Sequence, residues 1–529
     1  MKSFILLNII ICFNLFVLPP RALAQLLNVG TQLTFGGSNY DVPYKTINTS
    51  DGGFISIGRS DSNISGDKTE NNRGVSDFWV IKFDNSLNVQ WQKSIGGSLG
   101  ETGYSIAETT NGNFLVCGGS VSGISGDKTT AGYGLDDYWL VKLSSTGVIL
   151  WDKTYGGTGI DVAIEIELDS NGNIFLGGVS GSNANSVKSE NSRGSNDYWI
   201  IKLDSLGNKL WDKTIGGSGV ENFMDFVLHA NGNIILYGIS FSNISGEKSQ
   251  NSFNNSSDLW IVKIDNSGNV LWDKTYGGDD IEAVGYGICY NDGYYYAICP
   301  SFSGISGVKT EASRGQTDIW VVKLDTNGNF IWDKTIGGGG FDNAIGIMIN
   351  STNQLIISSS SDSNISGEKT EDSKGLQDGW IIAIDTAGTL LWQKTIGGSQ
   401  SDILVKCNEI SSGNYLLTAY SNSNISGDKT DNCRGMEDYW FVELETNLST
   451  TELNNFTNFS IFPNPADNFI NLQISTFDSN QLIEIYNFIG KKIFSSAIIQ
   501  NLLIDISAWP NGIYFASSNG ITQKFVIVK

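Results

Sequence analysis

The chain of 529 residues contains a single histidine, His229, in the segment "LHANGN". An Asn-Gly pair is typical of a tight turn between two strands, so we expect His229 to be a solvated turn residue. With no second histidine and no paired cysteines, a zinc site or a Ser-His or Cys-His nucleophile lacks its component residues. The sequence therefore provides no catalytic residue and no metal ligand set, and it favours a protein that is not an enzyme.

Cysteine is also scarce, with six residues, of which Cys12 lies in an apolar N-terminal segment. The other five are irregularly spaced and odd in number, which argues against a disulfide framework or a zinc-binding pattern. Cys289 and Cys299 fall on one predicted hairpin. Pivoting that hairpin about Asp292 places Cys289 near Tyr295, so a disulfide to Cys299 is an alternative that the sequence leaves open but does not favour.

Basic residues are outnumbered, because 33 lysines and arginines stand against 55 aspartates and glutamates, for a formal net charge of −22. Such an acidic surface repels phosphate backbones and anionic lipid, so nucleic acid is not an expected partner. The one long apolar run, Phe4 to Leu18, follows Lys2 and precedes "ALAQ". This pattern predicts a signal peptide over residues 1–24, an exported mature chain from Gln25 and no membrane span in that mature chain.

The sequence is rich in repetition. The segment "LWDKTYGG" at Leu150 returns as "LWDKTIGG" at Leu210, and close variants start at Leu271, Ile331 and Leu391. An Asp-x-Trp triplet marks the same units and begins at Asp77, Asp137, Asp197, Asp258, Asp318, Asp378 and Asp438. The triplets predict seven copies of one unit, about 60 residues long, over residues 25–446.

Each unit has the pattern of four antiparallel strands, here named A to D. From Asp161, "DVAIEIELD" alternates apolar and polar residues and is strand A, "SNGN" is a turn, and "IFLGGVS" is the returning strand B. A long B–C loop then leads to strand C, "DYWIIKLD", and strand D, "KLWDKTIGG". Seven such units predict an all-β chain whose main domain is a seven-bladed β-propeller. Thr31 to Gly37, "TQLTFGG", aligns with strand D, and the array ends after a strand C at Glu445, so the N-terminal strand should close the ring.

The tryptophans recur because every blade must bury the same face against its neighbour, and we interpret Trp151 and its equivalents as packing residues. An exposed stacking role for some of them stays open.

Polar residues recur at three positions of the unit, of which the first is the Asp of Asp-x-Trp. The second is an acid four residues after the Gly-Gly pair, in the set Asp41, Glu101, Asp161, Glu221, Glu282, Asp342 and Asp402. The third is a lysine in the B–C loop, in the set Lys68, Lys128, Lys188, Lys248, Lys309, Lys369 and Lys429. Both sets are predicted on the face that carries the long loops, with the acids in a ring at the mouth of the central channel.

That loop face is the candidate binding face, because recognition tends to lie on long loops held by a rigid scaffold. The favoured interpretation of the acid ring is structural, with each carboxylate matched by a loop lysine or by turn N–H groups. A cation such as Ca²⁺ or another ligand at the ring is an alternative, although "DSNGN" at Asp169 and "DTNGN" at Asp325 lack the distal glutamate of a calcium loop. Catalysis fits less well, because a symmetric ring does not supply different residues in different roles.

Departures from the repeat fall in the B–C loops of blades two to four. In blade 2, Tyr133 of "TTAGYG" replaces the arginine that matches Arg73. In blade 3, the loop Asn183 to Gly194 lacks "ISGD". In blade 4, the loop Asn243 to Ser257 carries an extra residue and lacks the matching arginine. They are the places where a specific function could be encoded, although drift in a tolerant loop is the favoured explanation.

The tail has a different composition. Residues 447–458 are a Thr/Asn-rich linker, and residues 459–529 contain strand patterns that predict a small β-sandwich. "FPNPA" at Phe462, "YNFIGKKI" at Tyr486, "NGIYF" at Asn511 and the closing "KFVIVK" resemble the type A sorting domain of type IX secretion cargo proteins. The motif residues in this chain are Pro463, Asn464, Pro465, Gly490, Gly512, Lys524 and Lys529.

The resemblance implies export across an outer membrane, with the secretion machinery and a sorting protease as partners and attachment to lipopolysaccharide as a common outcome. The repeats also resemble those of uncharacterised secreted propellers, a likeness that supports the fold rather than a function.

These observations predict a secreted or surface-displayed protein with a non-catalytic binding or adhesion role, directed at a glycan, lipopolysaccharide or another surface protein through the loop face. One alternative is an extracellular polysaccharide hydrolase or lyase that uses channel-mouth acids such as Asp161 and Glu221. The other is a purely structural surface component. No cofactor is expected.

Overall fold

The structure, a computed structural model, describes residues 27–283, 285, 287–446, 459–474, 482–488, 490–497, 501–518 and 521–529. The predicted signal peptide and linker lie outside the described residues. Contacts divide the chain into two compact units, one ending at Thr446 and the other beginning at Asn447. Within the described part of the chain, no helix is long and apolar enough to cross a membrane.

Strands follow one another through the first unit at the spacing of the repeat. They are β1 (Leu27–Phe35), β2 (Asp41–Asn48), β3 (Phe54–Ser60), β4 (Asp77–Phe83), β5 (Val89–Ile95), β6 (Glu101–Glu108), β7 (Phe114–Ser120), β8 (Asp137–Leu143), β9 (Ile149–Tyr155), β10 (Asp161–Leu168), β11 (Ile174–Ser180), β12 (Asp197–Leu203), β13 (Lys209–Ile215), β14 (Glu221–Leu228), β15 (Ile234–Ser240), β16 (Asp258–Ile264), β17 (Val270–Tyr276), β18 (Ile288–Asn291), β19 (Tyr294–Ser301), β20 (Asp318–Asp325), β21 (Phe330–Ile336), β22 (Asp342–Ile349), β23 (Leu355–Ser361), β24 (Asp378–Ile384), β25 (Leu390–Ile396), β26 (Asp402–Ser411), β27 (Asn414–Ser421) and β28 (Asp438–Thr446). One short 3-10 turn, Phe253–Asn255, lies in the B–C loop of the fourth blade.

Seven four-stranded sheets form from these strands. Blades 1 to 6 each contain four consecutive strands, β2–β5 through β22–β25, and blade 7 has the order β26-β27-β28-β1. The first strands of the blades, here called the inner strands, contact one another in a closed cycle that runs from β2 to β26 and back to β2. The predicted seven-bladed β-propeller is confirmed.

The ring is closed by the N-terminal strand, as the repeat predicted. β1 pairs antiparallel with β28, with Phe35 opposite Tyr439 and Leu27 opposite Thr446. The contacts between blades also continue across this junction, since the ring centroids of Tyr439 and Trp79 lie 5.0 Å apart. The same contact between Tyr138 and Trp199 inside the array measures 4.7 Å.

The tryptophans of the repeat fill the spaces between blades. Those of Asp-x-Trp are among the largest fully buried side chains. Each shares a core cluster with residues of the preceding blade. Those of the "WDKT" segments lie on the outer strands and are half-buried to buried. Trp151, for example, lies within 3.2 Å of the position that a Cβ on Gly207 would take, so the next blade's C–D turn needs glycine at that point. Gly207 also has φ +79°, which a side chain disfavours.

Every inner strand with a regular ladder carries a one-residue β-bulge. The register shifts between Pro43 and Lys45 in blade 1 and between Ala163 and Glu165 in blade 3, and the equivalent shift occurs in blades 2, 4, 6 and 7. A bulge inserts an extra residue and re-aims the side chains beside it. The bulges therefore fix which side chains face the axis of the ring.

Blade 5 departs from this pattern. Glu282 pairs with Ser301, but the ladder resumes only at Ile288 opposite Ala297. Pro300 lies opposite the interruption and has no N–H to donate to an inner strand. A Cβ on Gly285 would lie 2.9 Å from Pro300 Cδ, which is too close for a side chain.

The C-terminal unit consists of two antiparallel sheets. Its strands are β29 (Phe459–Phe462), β30 (Phe469–Ile474), β31 (Leu482–Asn487), β32 (Lys492–Ala497), β33 (Asn501–Asp505), β34 (Gly512–Ser518) and β35 (Ile521–Ile527). The sheets have the orders β29-β30-β33 and β32-β31-β34-β35. Ile470 and Leu472 of the first sheet share one core with Ile485 and Phe525 of the second. This is the predicted small β-sandwich.

Candidate functional site

Six of the seven repeated acids are the first residues of inner strands, and Glu282 of blade 5 forms an isolated bridge to Ser301 ahead of β18. All seven are buried, with exposed fractions of 0–1%. Each accepts an N–H from the second glycine of its Gly-Gly pair at 2.6–3.3 Å. Each also accepts a serine hydroxyl, as Asp161 does from Ser182 at 2.6 Å. They therefore hold the D–A connections, and turn N–H groups and hydroxyls take the place of water around each carboxylate.

The seven loop lysines are buried too, with exposed fractions of 0–2%. Each ammonium lies 5.0–5.5 Å from the ring centroid of the Asp-x-Trp tryptophan in its own blade. Each also donates to a serine or threonine hydroxyl at 2.6–2.9 Å. Burial lowers the pKa of Lys68, Lys188, Lys248 and Lys369 to about 8. These lysines fasten the loops to the blades and are not presented to a partner.

The aspartates of Asp-x-Trp complete this buried layer. Asp77 accepts the N–H of Arg73 at 2.8 Å, and Asp197 accepts that of Arg193 at 2.6 Å. Burial raises the pKa of Asp77, Asp378 and Asp438 to about 6. Two carboxylates for each lysine thus lie beneath the loop face, where they organise the loops.

The loop departures of blades two to four have a shared structural correlate. At most junctions, a basic residue in one B–C loop reaches an acid in the next, as Arg73 does to Asp127 at 2.9 Å and Arg314 to Glu368 at 2.7 Å. Arg193, Lys374 and Arg434 make the equivalent pairs with Glu247, Asp428 and Asp67. At the other two junctions both partners change together.

Tyr133 and Phe253 stand at the basic position of these two junctions, and Val187 and Val308 stand at the acidic one. Phe253 lies against Gly307, and Val308 packs against the core of its blade. At both junctions an aromatic residue and a valine thus stand where the other junctions have an ion pair, and at the junction of blades 4 and 5 Phe253 lies against the following loop at Gly307.

Isoleucines are displayed by six of the seven B–C loops. Their exposed fractions are 59–71%, and they are Ile64, Ile124, Ile244, Ile305, Ile365 and Ile425. The loop of blade 3 has Ala184 at this position. Val75, Leu135, Leu376 and Met436, near the ends of the same loops, are also exposed. We call the six isoleucines the isoleucine ring, and they give six of the seven loops on this face an exposed apolar side chain.

A cavity of 270 Å³ lies in the central channel and is bordered by the bulged parts of the inner strands. The bulge residues that line it are Tyr44, Tyr104, Ile164, Met224, Ile345 and Val405. The next residue along four of these strands is charged, and these are Lys45, Glu165, Asp225 and Lys406. Unlike the repeated acids, this position changes from blade to blade.

Charges in the cavity are unequally paired. Lys45 forms an ion pair with Glu165, and Ser105 donates to the same carboxylate at 2.8 Å. Asp225 accepts the N–H groups of Phe226 at 2.8 Å and Ile288 at 3.3 Å. Lys406 has no hydrogen-bond acceptor among the described residues.

The pKa values of the channel acids follow from this setting. Burial, together with the nearby Glu165, raises the pKa of Asp225 to about 6. Burial also raises the pKa of Glu167, next to the cavity, to about 8. The repeat pattern does not reveal these residues, because their identity differs from blade to blade. The signal available in the sequence was one position of the repeated strand A at which the residue type changes and is charged in four units.

His229 differs from its prediction as a solvated turn residue. It is half-buried, shares a hydrogen bond of 2.7 Å with the Tyr295 hydroxyl and packs edge-on against Tyr290 at 4.5 Å between ring centroids. Burial lowers its pKa. The aromatic side chains of the adjacent blade, which the local turn pattern does not show, account for the difference.

Thiol groups and carboxylates of the described residues form no further site. Cys117, Cys289, Cys299, Cys407 and Cys433 are free, and Cys289 lies opposite Tyr296, one residue from the predicted neighbour. No group of three or more His, Cys, Asp or Glu residues in the described ranges has a metal-binding arrangement. Asp169 and Asp325 instead accept N–H groups within their own turns.

The motif residues of the tail meet at one end of the second unit. Asn464 accepts the Val526 N–H at 2.9 Å and donates to the Lys524 carbonyl at 3.3 Å. The Lys529 N–H donates to Asn511 at 3.0 Å, beside Gly512. Gly490 has φ +77°, which suits glycine in the turn after Asn487. "FPNPA" and the closing strand are therefore joined by Asn464.

Comparisons with known proteins bear on both units. Residues 460–529 match the family described as the secretion system C-terminal sorting domain. A search of curated proteins found none that matches the chain.

Solved structures of low similarity include the WD40 domain of Neurospora crassa Pan2, at 10% identity and TM-score 0.41, over 78% of this chain and 95% of that one. Hydrazine synthase from Kuenenia stuttgartiensis has 12% identity and TM-score 0.41, over 72% and 93%. BBS1N in complex with ARL6DN has 8% identity and TM-score 0.43, over 81% and 99%. These similarities carry no argument about activity. The tail motifs and the family match together identify this β-propeller chain as a cargo protein of the type IX secretion system, exported to the cell surface or the extracellular space.

Proposed function

We propose that the mature propeller is a non-catalytic binding and adhesion module that recognises a surface protein through its B–C loop face. The observation that carries the proposal is the isoleucine ring. Exposed apolar side chains that recur on one face of a soluble domain are typical of protein–protein interaction sites. Isoleucine has no aromatic ring on which a sugar could stack, so a protein partner is favoured over a glycan or lipopolysaccharide.

The loops that carry these isoleucines are held in place, which supports a role in recognition. The Ile64 N–H donates to Asn71 at 3.0 Å, and Ser65 accepts the Ser38 N–H at 2.9 Å. Gly66 has φ +55°, and a Cβ there would lie 2.3 Å from the Gly36 carbonyl oxygen. A loop that is ordered before binding loses less entropy when a partner docks.

The alternative of a hydrolase or lyase relied on Asp161 and Glu221. Both side chains are buried, and each accepts the N–H of a Gly-Gly turn, at 2.6 Å and 2.9 Å. Neither lines the channel cavity. No described contact favours a catalytic role for these two residues.

The test uses the mature chain, fluorescently labelled and incubated with cells of the producing bacterium. Ile365→Ser, Ile425→Ser and Ile64→Ser, combined on three neighbouring blades, should abolish most of the cell binding. Leu206→Ser is the matched control, because Leu206 is 64% exposed on a C–D turn, at the opposite end of the blades. Protease treatment of the cells should remove the binding, whereas periodate oxidation of surface glycans should not.

Equal binding by the triple variant and the unchanged protein would overturn the proposal. Loss of binding after periodate alone would assign the partner to a glycan or lipopolysaccharide. Absence of binding to any cell preparation would favour a purely structural surface role.

A further inference from the structure

The channel cavity differs from the rest of the propeller because its lining breaks the sevenfold repetition. It extends along residues two to five of the inner strands, from Ile403 to Lys406 in blade 7. With a rise of about 3.3 Å per residue, these positions lie roughly 3–13 Å from the strand starts. Since the strand starts carry the D–A connections, the cavity extends from the loop-face end of the channel to about the middle of the inner strands.

Its size selects the class of molecule. Pockets for drug-sized ligands have volumes of about 300–1,000 Å³. The channel cavity, at 270 Å³, falls just below that range. It can enclose a small molecule, but it is too small for a folded partner or a long polymer.

The walls of the cavity are apolar and aromatic. Tyr44 and Tyr104 stand beside one another, with ring centroids 4.8 Å apart, and Tyr420 lines the same cavity from blade 7. Met224 and Ile345 contribute apolar surface from blades 4 and 6. These side chains offer a flat or apolar molecule contact area on several sides.

One lysine of the cavity lining has no direct acceptor among the described residues. Lys45 is paired with Glu165. Lys406 is half-buried and makes no hydrogen bond or ion pair with a described residue, although its charge is near enough to Asp225 to offset part of the rise in the pKa of that carboxyl. Holding an ammonium partly out of water without a partner is costly, and an anionic ligand would supply the missing acceptor.

The carboxylates of the cavity favour an anion with a single negative charge. Glu165 and Asp225 line the same cavity, so a dianion such as a phosphate ester would meet two carboxylates, whereas Lys406 is the lining lysine that has no ion pair among the described residues. We therefore propose that the channel cavity is a binding site for a small organic monocarboxylate, with its carboxylate on Lys406 and its apolar or ring-shaped body between Tyr44, Tyr104 and Met224. This site is independent of the isoleucine ring.

The test is a set of paired probes added to the mature chain and followed by calorimetry and by ligand-observed NMR. Benzoate is compared with benzamide, 4-hydroxyphenylacetate with its amide, and glucuronate with glucose. At about 10 mM ligand, even a Kd of about 1 mM leaves the protein site about 90% occupied. We expect at least one carboxylate to bind and its neutral counterpart to bind at least about tenfold more weakly.

Variants separate the site from the rest of the surface. Lys406→Met should weaken binding of the carboxylate at least about tenfold, and Lys406→Arg should restore part of it. Lys274→Met is the matched control, a half-buried lysine on the outer strand β17. Ile345→Phe fills the cavity without changing its charge and should also weaken binding of the carboxylate. It provides the test if Lys406→Met does not fold.

Three results would overturn the proposal. These are no binding by any of the three carboxylates at about 10 mM, equal binding of an acid and its neutral counterpart, or binding that neither Lys406→Met nor Ile345→Phe reduces.

Discussion

Closure of the ring can be tested with one hydroxyl group. Lys429, at 2% exposure, donates from its ammonium to the Thr34 hydroxyl of β1 at 2.7 Å, although the two residues are 395 apart in sequence. Thr34→Val keeps the shape of the side chain and removes that acceptor. A buried donor left without its partner costs about 1–3 kcal/mol, so Thr34→Val should lower the free energy of unfolding by that amount.

The repeat provides a matched control for this change. Lys188 donates to the Thr214 hydroxyl at 2.6 Å, but Thr214 lies on β13, which follows β12 directly in the same blade. Thr214→Val should therefore cost about the same 1–3 kcal/mol whether or not the ring is closed by β1. Thr34→Ser, which keeps the hydroxyl, should cost less than Thr34→Val.

Urea unfolding of the mature chain, followed by tryptophan fluorescence, measures both variants. Of the 14 tryptophans, all but Trp509 lie in the propeller, so the signal reports that unit. If Thr214→Val destabilises the propeller and Thr34→Val does not, β1 does not dock on β28 and the argument for closure is wrong.

Three further predictions concern the buried layer, the core and the tail. Because burial raises the pKa of Asp77, Asp378 and Asp438 to about 6, the folded state binds more protons than the unfolded state between about pH 4 and 6. The free energy of unfolding should thus rise by about 1 kcal/mol per aspartate as the pH falls from 7 to 5. In urea titrations, Asp378→Asn should reduce this dependence of stability on pH. Equal stability of the unchanged protein at both pH values would contradict the raised pKa values. Trp139→Ala should cost about 3–5 kcal/mol in the same assay, and a cost below about 1 kcal/mol would exclude a packing role. Deletion of residues 459–529 should leave a folded propeller inside the cell, detected by fractionation, whereas its appearance in the medium would refute the sorting role.

Much of the architecture could be predicted because it depends on features that repeat. The Asp-x-Trp triplet and the alternation of strand A recur in every unit, and a shared pattern implies a shared packing environment. The unpaired strand pattern at Thr31 and the missing strand D after Glu445 together predicted the closure of the ring.

Other features depend on neighbours that are distant in sequence. A repeated acid such as Asp161 gives no sign of whether water or a glycine N–H will surround it, and only the folded turn shows its burial. The bulge after Ala163 leaves no mark in the alternation, yet it decides that Glu165 lines the cavity. Pro300, in blade 5, interrupts a ladder that the repeat alone would have continued.

The pairing of β1 with β28 has a consequence for the order of events during export. Blade 7 takes its fourth strand from Leu27–Phe35 and its other three from the last residues of the array. These parts are more than 350 residues apart along the chain, so the first strand has no native partner until the end of the array has emerged. Early blades can form as each segment becomes free, but the ring cannot be completed before then. Until β28 has formed, β1 is a strand without its ladder partner, and unpaired strands are sites at which unfinished chains aggregate.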